Sequence, residues 1–131
     1  MLKVTGIHAF YGAINALRGV SLEIGEGEIV TLIGSNGAGK TTTLMAVSGV
    51  VPVREGSITF MGEAIHNLAP DEIVKLGIVQ VPEGRRIFPG LTVAENLDMG
   101  AFLRTDHKGV KSDLDYVYSL FPVLSKRKKQ L

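Results

Sequence analysis

Cysteine is absent from the 131 residues, which excludes disulfide frameworks and thiolate metal sites. Long apolar runs are also missing, so the sequence has no candidate membrane-spanning segment. The first residues are not followed by the apolar core of a signal peptide. The formal net charge is only +1, which argues against a protein that binds nucleic acid by neutralising its phosphates. These absences predict a soluble, cytosolic protein without a nucleic-acid partner.

Glycine, by contrast, is in excess. The sequence has 16 glycines, against roughly 9 expected at an average usage of about 7%. Apolar residues make up 45% of the chain, which is enough for one small hydrophobic core. The glycine count therefore predicts many turns, or a backbone that approaches a ligand closely.

Hydrophobic periodicity and turn residues divide the chain into predicted strands and helices. Strands are predicted over 2–10, 17–24, 29–33, 57–61 and 78–81, and helices over 40–48, 70–76, from 92 towards 102, and 112–121.

The two kinds of predicted strand indicate the fold class. Residues 17–24 alternate between apolar and polar, as in a half-buried antiparallel strand, whereas 29–33 are apolar almost throughout, as in a strand buried on both faces of a parallel sheet. We therefore predict an α/β fold. It has a parallel sheet flanked by helices, an N-terminal antiparallel β portion, and the start of a helical subdomain from residue 91. The basic run 126–129 is interpreted as a solvated face or a helix C-terminus.

The strongest chemical pattern lies at residues 34–41. They match G-x-x-x-x-G-K-[ST] in full, with Gly34, Ser35, Asn36, Gly37, Ala38, Gly39, Lys40 and Thr41. Such a loop wraps phosphate oxygens with its backbone N–H groups at the N-terminus of a helix. Lys40 would place a cation on the β- and γ-phosphates, and the Thr41 hydroxyl would ligate Mg²⁺. The pattern predicts a P-loop core that binds a nucleoside triphosphate. The weaker alternative is a glycine-rich turn before an ordinary helix.

Two further observations indicate which base that nucleotide carries. The guanine-reading pattern N-K-x-D does not occur in the chain. Adenine can be read by an aromatic platform instead, because base stacking tolerates many geometries. Tyr11 is a candidate for this platform, and its alternative role is ordinary core packing at a strand end.

Several segments together resemble a known family. Tyr11-Gly12, residues 16–22, the loop 34–41, Gly56-Ser57-Ile58 and residues 88–97 occur in this order. The chain resembles, over nearly its whole length, the ATPase subunits of ABC transporters. Residues 81–89 (Val-Pro-Glu-Gly-Arg-Arg-Ile-Phe-Pro) are more specific, and they resemble the branched-chain amino acid importers within that family.

The resemblance implies roles for particular residues. Tyr11 becomes the adenine-stacking residue with Ala16 flanking the base, and the phosphate loop extends through Thr42. Glu83 takes the position where the family carries a glutamine that contacts Mg²⁺ and couples to the membrane partner. The predicted catalytic residues are therefore Lys40 and Glu83. The predicted metal ligands are Thr41 and Glu83. Gln80 is placed in the strand 78–81 as a structural residue. Arg85 and Arg86 would face the membrane partner or form a solvated pair.

Three elements that the family uses for hydrolysis are not in the 131 residues. They are the Leu-Ser-Gly-Gly-Gln motif, a strand ending in Asp-Glu and a switch histidine. The expectation is that residues 1–131 are the N-terminal portion of one ATP-binding domain. Residues 1–90 would form the β portion and P-loop core, and 91–131 the start of the helical subdomain. Such a chain alone would bind nucleotide at best.

The function implied by the resemblance is that of an ATP-hydrolysing importer subunit for branched-chain amino acids, using ATP and Mg²⁺. It would pair with a second ATPase subunit and with integral-membrane permease subunits, peripherally on the cytoplasmic face of the cell membrane. Alternatives are the same machine with another cargo, such as urea, other amino acids or short peptides, and a soluble ABC ATPase outside transport. A non-catalytic module is disfavoured because Lys40 and Thr41 are both present.

Overall fold

The computed structural model describes residues 1–84 and 86–131. It contains two compact units, Met1–Val81 and Pro82–Leu131. The first unit holds strands β1 (Leu2–Tyr11), β2 (Ile14–Ile24), β3 (Val53–Phe60) and β4 (Glu63–Ala64) and helices α1 (Lys40–Val47) and α2 (Pro70–Lys75). The second holds α3 (Val93–Gly100), α4 (His107–Leu120) and α5 (Pro122–Lys126).

The sheet is antiparallel and has the strand order β2-β1-β3-β4. Val4 on the central strand lies between Leu22 on β2 and Ile58 on β3. The strands predicted over 2–10, 17–24 and 57–61 are confirmed, with β2 and β3 beginning a few residues earlier than predicted. A two-residue turn joins β1 to β2 and closes this pair locally, whereas β3 pairs with β1 after a long connection that contains β2 and α1.

The core of the first unit lies between this sheet and the two short helices. Its buried apolar residues alternate along the strands and are completed by the helices and the segments beside them: Val4, Ile7, Ala9, Leu17, Ala46, Val47, Val51, Ile58, Ile65 and Ile73. Burying one valine, leucine or isoleucine side chain contributes about 1.5–3 kcal/mol. This core fixes the β1–β2 hairpin and α1, which carry five of the predicted site residues: Tyr11, Ala16, Lys40, Thr41 and Thr42.

Two predicted strands are wrong for this structure: 29–33, which is expected in a parallel sheet, and 78–81. Residues 29–33 and 78–81 form no strand. Ile29 and Ile33 are 98% and 92% exposed, and Val81 is 92% exposed. A parallel strand needs neighbours that bond its backbone, and within 1–84 and 86–131 no strand pairs with either segment. The sequence pattern identifies both segments as apolar, but none of the described strands pairs with them.

The helices predicted over 40–48 and 70–76 are confirmed as α1 and α2. Gly49, with φ of 72°, follows the end of α1, and Pro70 occupies the first turn of α2, where its missing N–H costs no helical hydrogen bond. The side chain of Glu72 accepts a hydrogen bond from the Ala69 N–H at 2.9 Å. α2 is thus fixed at the position that its sequence predicted.

In the second unit, the predicted capping box of α3 is confirmed. Thr92 Oγ1 accepts from the Glu95 N–H at 3.3 Å, and Glu95 Oε2 accepts from the Thr92 N–H at 2.7 Å. The side-chain hydrogen bond from Thr92 lowers the pKa of Glu95, and the backbone bond adds to this effect. The helix ends at Gly100, two residues before the predicted Phe102.

Helix α4 begins five residues before the predicted Ser112. Arg104 bonds the carboxylates of Asp106 and Asp113, which ties the residues before the helix to its second turn. Arg104 lowers the pKa of Asp106. The predicted end near Pro122 is confirmed, but Pro122 also begins α5, which was not predicted. No helix in the described part of the chain is long and apolar enough to cross a membrane.

Candidate functional site

The glycine-rich loop 34–39 lies between the unpaired segment 29–33 and α1. Gly37 and Gly39 have φ angles of 84° and 88°, a left-handed conformation that other residues rarely adopt. A Cβ on Gly39 would lie 2.7 Å from Leu17 Cδ2 and 3.3 Å from the Ala16 carbonyl oxygen. Glycine at position 39 therefore lets the loop pack directly on β2.

The N-terminus of α1 is open for an anion. No side chain caps it, and the first turn of any α-helix leaves backbone N–H groups without helical partners. The backbone N–H and the side-chain hydroxyl of Thr43 both bond the Gly39 carbonyl, at 2.8 and 2.9 Å. The N–H groups of Lys40, Thr41 and Thr42 precede this first bond, so the positive end of the helix is available to phosphate oxygens.

Lys40 lies at this helix end and folds back over the loop. Its Nζ donates to the carbonyls of Gly34 and Ser35, at 2.8 Å each. An ammonium group has three donors, so one remains for a ligand. In the described residues, no carboxylate forms an ion pair with Lys40. Its charge is therefore available to an anionic ligand.

Three consecutive threonines follow Lys40 and have different environments. Thr43 is buried and bonded to the loop, Thr42 is half-buried, and Thr41 is exposed. Thr41 is therefore the hydroxyl that a bound cation could reach. No group of three or more His, Asp or Glu side chains in residues 1–84 and 86–131 could hold a metal ion. A cation here would depend on Thr41, water and ligand oxygens.

Two aromatic residues lie at the end of β1, and only one of them offers an open ring. The guanidinium of Arg54 covers the Phe10 ring at 4.8 Å from its centroid. Tyr11 is 48% exposed, and its hydroxyl donates to Met45 Sδ on α1 at 3.7 Å. Tyr11 therefore has the more accessible ring of the two, and its role as a platform for adenine stays a prediction.

The structure brings most of the predicted site residues into one unit. Tyr11 and Ala16 lie in the β1–β2 hairpin, the Ala16 carbonyl lies against Gly39, and Tyr11 contacts the helix that follows the loop. Sequence reasoning missed Met45, because an ordinary helical methionine gives no signal of a contact with an aromatic residue 34 positions earlier.

Glu83 belongs to the second unit, where its side chain is exposed and its carbonyl accepts from Arg86 Nε at 3.2 Å. Its predicted metal and catalytic roles stay predictions. Arg85 lies outside the described residues. The assignment of Gln80 to a strand is wrong, since residues 78–81 form none and Gln80 is half-buried in an irregular segment.

Asn96 was also missed by sequence reasoning. It organises the segment before α3: its Oδ1 accepts from the Phe88 N–H at 2.8 Å, and its Nδ2 donates to the carbonyls of Phe88, Leu91 and Thr92 at 3.0–3.1 Å. These bonds shape one wall of an apolar groove of about 650 Å³, which lies wholly within the second unit and is lined largely by exposed or half-buried side chains. A surface of this kind fits a protein partner.

Curated proteins similar to this chain include ATP-binding proteins of branched-chain amino acid transport. It is 47% identical over 130 residues to the high-affinity branched-chain amino acid transport ATP-binding protein BraG of Pseudomonas aeruginosa, covering 99% of this chain and 55% of that protein. It is 34% identical to the probable branched-chain amino acid transport ATP-binding protein LivF of Archaeoglobus fulgidus, with 95% and 52% covered. The chain thus spans about half the length of the curated relatives it matches.

Solved structures confirm the predicted fold class, although the described residues form only the antiparallel part of the predicted sheet. A nucleotide-free ATP-binding cassette from an ABC transporter superposes with a TM-score of 0.80 at 26% identity, covering 99% of this chain and 56% of that one. A dimeric cassette bound to ADP and Pi has a TM-score of 0.70 at 26% identity, with 88% and 55% covered. The family model described as ABC transporter matches residues 17–130. This chain therefore belongs to the ABC transporter family.

Proposed function

We propose that the chain provides the nucleotide-binding part of an ABC importer subunit, which couples ATP binding and hydrolysis to the uptake of branched-chain amino acids. The observation that carries the proposal is the uncapped N-terminus of α1, with Lys40 beside it and without a carboxylate partner among the described residues. That combination suits a polyphosphate. The names of the BraG and LivF relatives support the cargo.

Different site residues contact different parts of the nucleotide. Lys40 contacts the β- and γ-phosphates, and the backbone from Gly34 to Thr42 surrounds the phosphate chain. Tyr11 stacks on adenine, with Ala16 beside the base. Thr41 contributes its hydroxyl to Mg²⁺, which neutralises developing charge on the phosphates when it is bound. Glu83 contacts the hydrated metal and transmits the nucleotide state to the membrane partner.

The partners proposed for this subunit are a second ATPase subunit and integral-membrane permeases, with the subunit on the cytoplasmic face of the membrane. A similar cassette has been solved as a dimer, which supports the first partner. The apolar groove of the second unit supports the permease partner, because Phe88 and Ile87 expose more than half of their surface there. Burying such side chains against a protein partner is favourable.

One alternative cargo, a sugar, is also supported by an observation. A ribose import ATP-binding protein of Rubrobacter xylanophilus is 38% identical to this chain over 100 residues. The described nucleotide site makes no contact that selects a cargo. Transport assays with the matching permease would decide between an amino acid and a sugar.

The nucleotide proposal is tested by replacing Lys40. Lys40→Ala removes a charge-assisted contact, so we expect ATP affinity to fall by about 10- to 100-fold. Isothermal titration of the chain with Mg-ATP measures this change. Lys75→Ala is the matched control, because it removes a lysine that pairs with Asp71 on the same helix, α2. Unchanged ATP affinity in Lys40→Ala would reject the phosphate-binding assignment.

A further inference from the structure

We propose that Met45 is a positioning residue that holds the Tyr11 ring for the adenine base. The proposal rests on the nucleotide-binding function proposed above and assigns a role to a residue outside the glycine-rich loop. Its starting point is the hydrogen bond from the Tyr11 hydroxyl to Met45 Sδ, at 3.7 Å. This contact joins the end of β1 to the helix that follows the phosphate loop.

Tyr11 needs such a contact because little else fixes its ring. It is the last residue of β1, next to the two-residue turn, and it pairs only with Ile14, the first residue of β2. Its side chain remains 48% exposed. Packing therefore restrains the phenol ring less than it would restrain a buried ring, and ordering it further on binding would cost affinity.

Met45, in contrast, is held firmly. It lies in the last turns of α1, is half-buried, and packs against the hydrophobic core. Its carbonyl accepts the N–H groups of Val50 and Val51 at 2.9 and 3.2 Å. Its position is therefore set by the core and not by the tyrosine, so that it can serve as a fixed acceptor.

The same helix carries the phosphate end of the site. Lys40 and Met45 are five residues apart on α1, which is about 7.5 Å along a helix axis. Gly39, just before the helix, packs against Leu17 and Ala16 of the hairpin. One helix thus sets both the phosphate-binding end and the direction of the ring at the base-binding end.

The chemistry suits this role. A thioether sulfur is a weak acceptor that also makes favourable contacts with aromatic rings. The bond occupies the hydroxyl at the ring's edge, while stacking uses the ring's face. Met45 would therefore orient Tyr11 without competing with the base.

The test compares a ligand that has a base with one that has none. In Met45→Leu, which keeps the side-chain volume but loses the acceptor, we expect ATP affinity to fall about threefold. The affinity for inorganic tripolyphosphate should stay unchanged. Met45→Gln, which restores an acceptor, should recover most of the loss. Met61→Leu is the matched control, because it makes the same change at an exposed turn away from the site.

A double-mutant cycle decides whether Met45 acts through the tyrosine hydroxyl. Tyr11→Phe should lose about the same threefold, and Met45→Leu added to Tyr11→Phe should cause no further loss. An equal loss for ATP and tripolyphosphate, additive losses in the cycle, or no loss in Met45→Leu would each overturn the proposal. If the wild-type chain binds neither ligand, the proposed function itself fails, and that result is distinct from all of these.

Discussion

The unpaired segments 29–33 and 78–81 are more uniformly apolar than the paired strands and yet form no sheet, although all lie within Met1–Val81. Ile58 on β3 is fully buried, whereas Ile29 is 98% exposed. The strands of the sheet are antiparallel, and short connections join β1 to β2 and β3 to β4. Segment 29–33 matches the pattern of a parallel strand, which depends on partners brought in by a longer crossover. An apolar sequence is therefore buried only where its backbone also finds a partner.

Hydrogen exchange should give the largest difference between these regions. Amides of β1, the strand between β2 and β3, should exchange only when the structure opens. Each opening costs several kcal/mol, up to the free energy of global unfolding, which is about 5–15 kcal/mol. Amides of residues 29–33 should exchange at rates near those of an unfolded chain. Mass spectrometry of peptic fragments measures both. Equal protection of the two regions would mean that the 29–33 segment is paired in solution.

Side-chain truncation should give the next largest difference. Ile58→Ala leaves a cavity in the core, so we expect the free energy of unfolding to fall by about 2–5 kcal/mol. Ile29→Ala removes the same atoms from an exposed position and should change the free energy of unfolding by less than about 0.5 kcal/mol. Urea denaturation of the two variants checks this pair. A large effect at Ile29 would contradict its exposure.

The sequence predicted most of the fold because the signals were local. Alternation identified β1 and β2, the capping box identified α3, and the glycine-rich loop located the N-terminus of α1. The strands predicted over 29–33 and 78–81 are wrong because periodicity detects an apolar run and not the strand that would pair with it. The start of α4 was missed because it depends on how Arg104 joins Asp106 to Asp113.

The candidate site was predictable in its chemistry and less so in its contacts. The residues of the loop follow from one motif, and Tyr11 follows from the resemblance. Met45 could not be found, because its contact with Tyr11 depends on the packing of α1 against the hairpin. Glu83 lies in Pro82–Leu131, whereas the glycine-rich loop and Tyr11 lie in Met1–Val81, so its proposed role rests on the resemblance alone.

Close backbone contact within the sheet can be tested at two glycines. A Cβ on Gly56, where φ is 88°, would lie 2.4 Å from the Gly6 carbonyl oxygen, whereas one on Gly62, where φ is 90°, would meet nothing. Gly62→Ala should cost about 1–2 kcal/mol through its backbone conformation alone. Gly56→Ala should cost about 2–4 kcal/mol, because the strands must also move apart. Thermal or urea unfolding compares the two, and equal losses would contradict the close approach.

The smallest effect is expected at the capping box of α3, in the second unit. None of the described residues of this unit is fully buried, so local backbone partners matter more there than a core does. The hydrogen bonds from the Thr92 side chain and backbone lower the pKa of Glu95 in the folded state. A lowered pKa contributes stability above the unfolded-state pKa, and this contribution is lost as the pH falls through the folded-state pKa.

Glu95→Gln should therefore be less stable than the wild type at neutral pH, and the difference should shrink as the pH falls from about 5 towards 2. Urea unfolding followed by the helical circular dichroism signal measures this across the pH range. Asp98→Asn is the matched control, because it removes a carboxylate of the same helix without touching the box. Parallel stability curves for Glu95→Gln and the wild type would mean that the charge of Glu95 does not stabilise the start of α3. The box would then act through hydrogen bonds that a glutamine side chain makes as well.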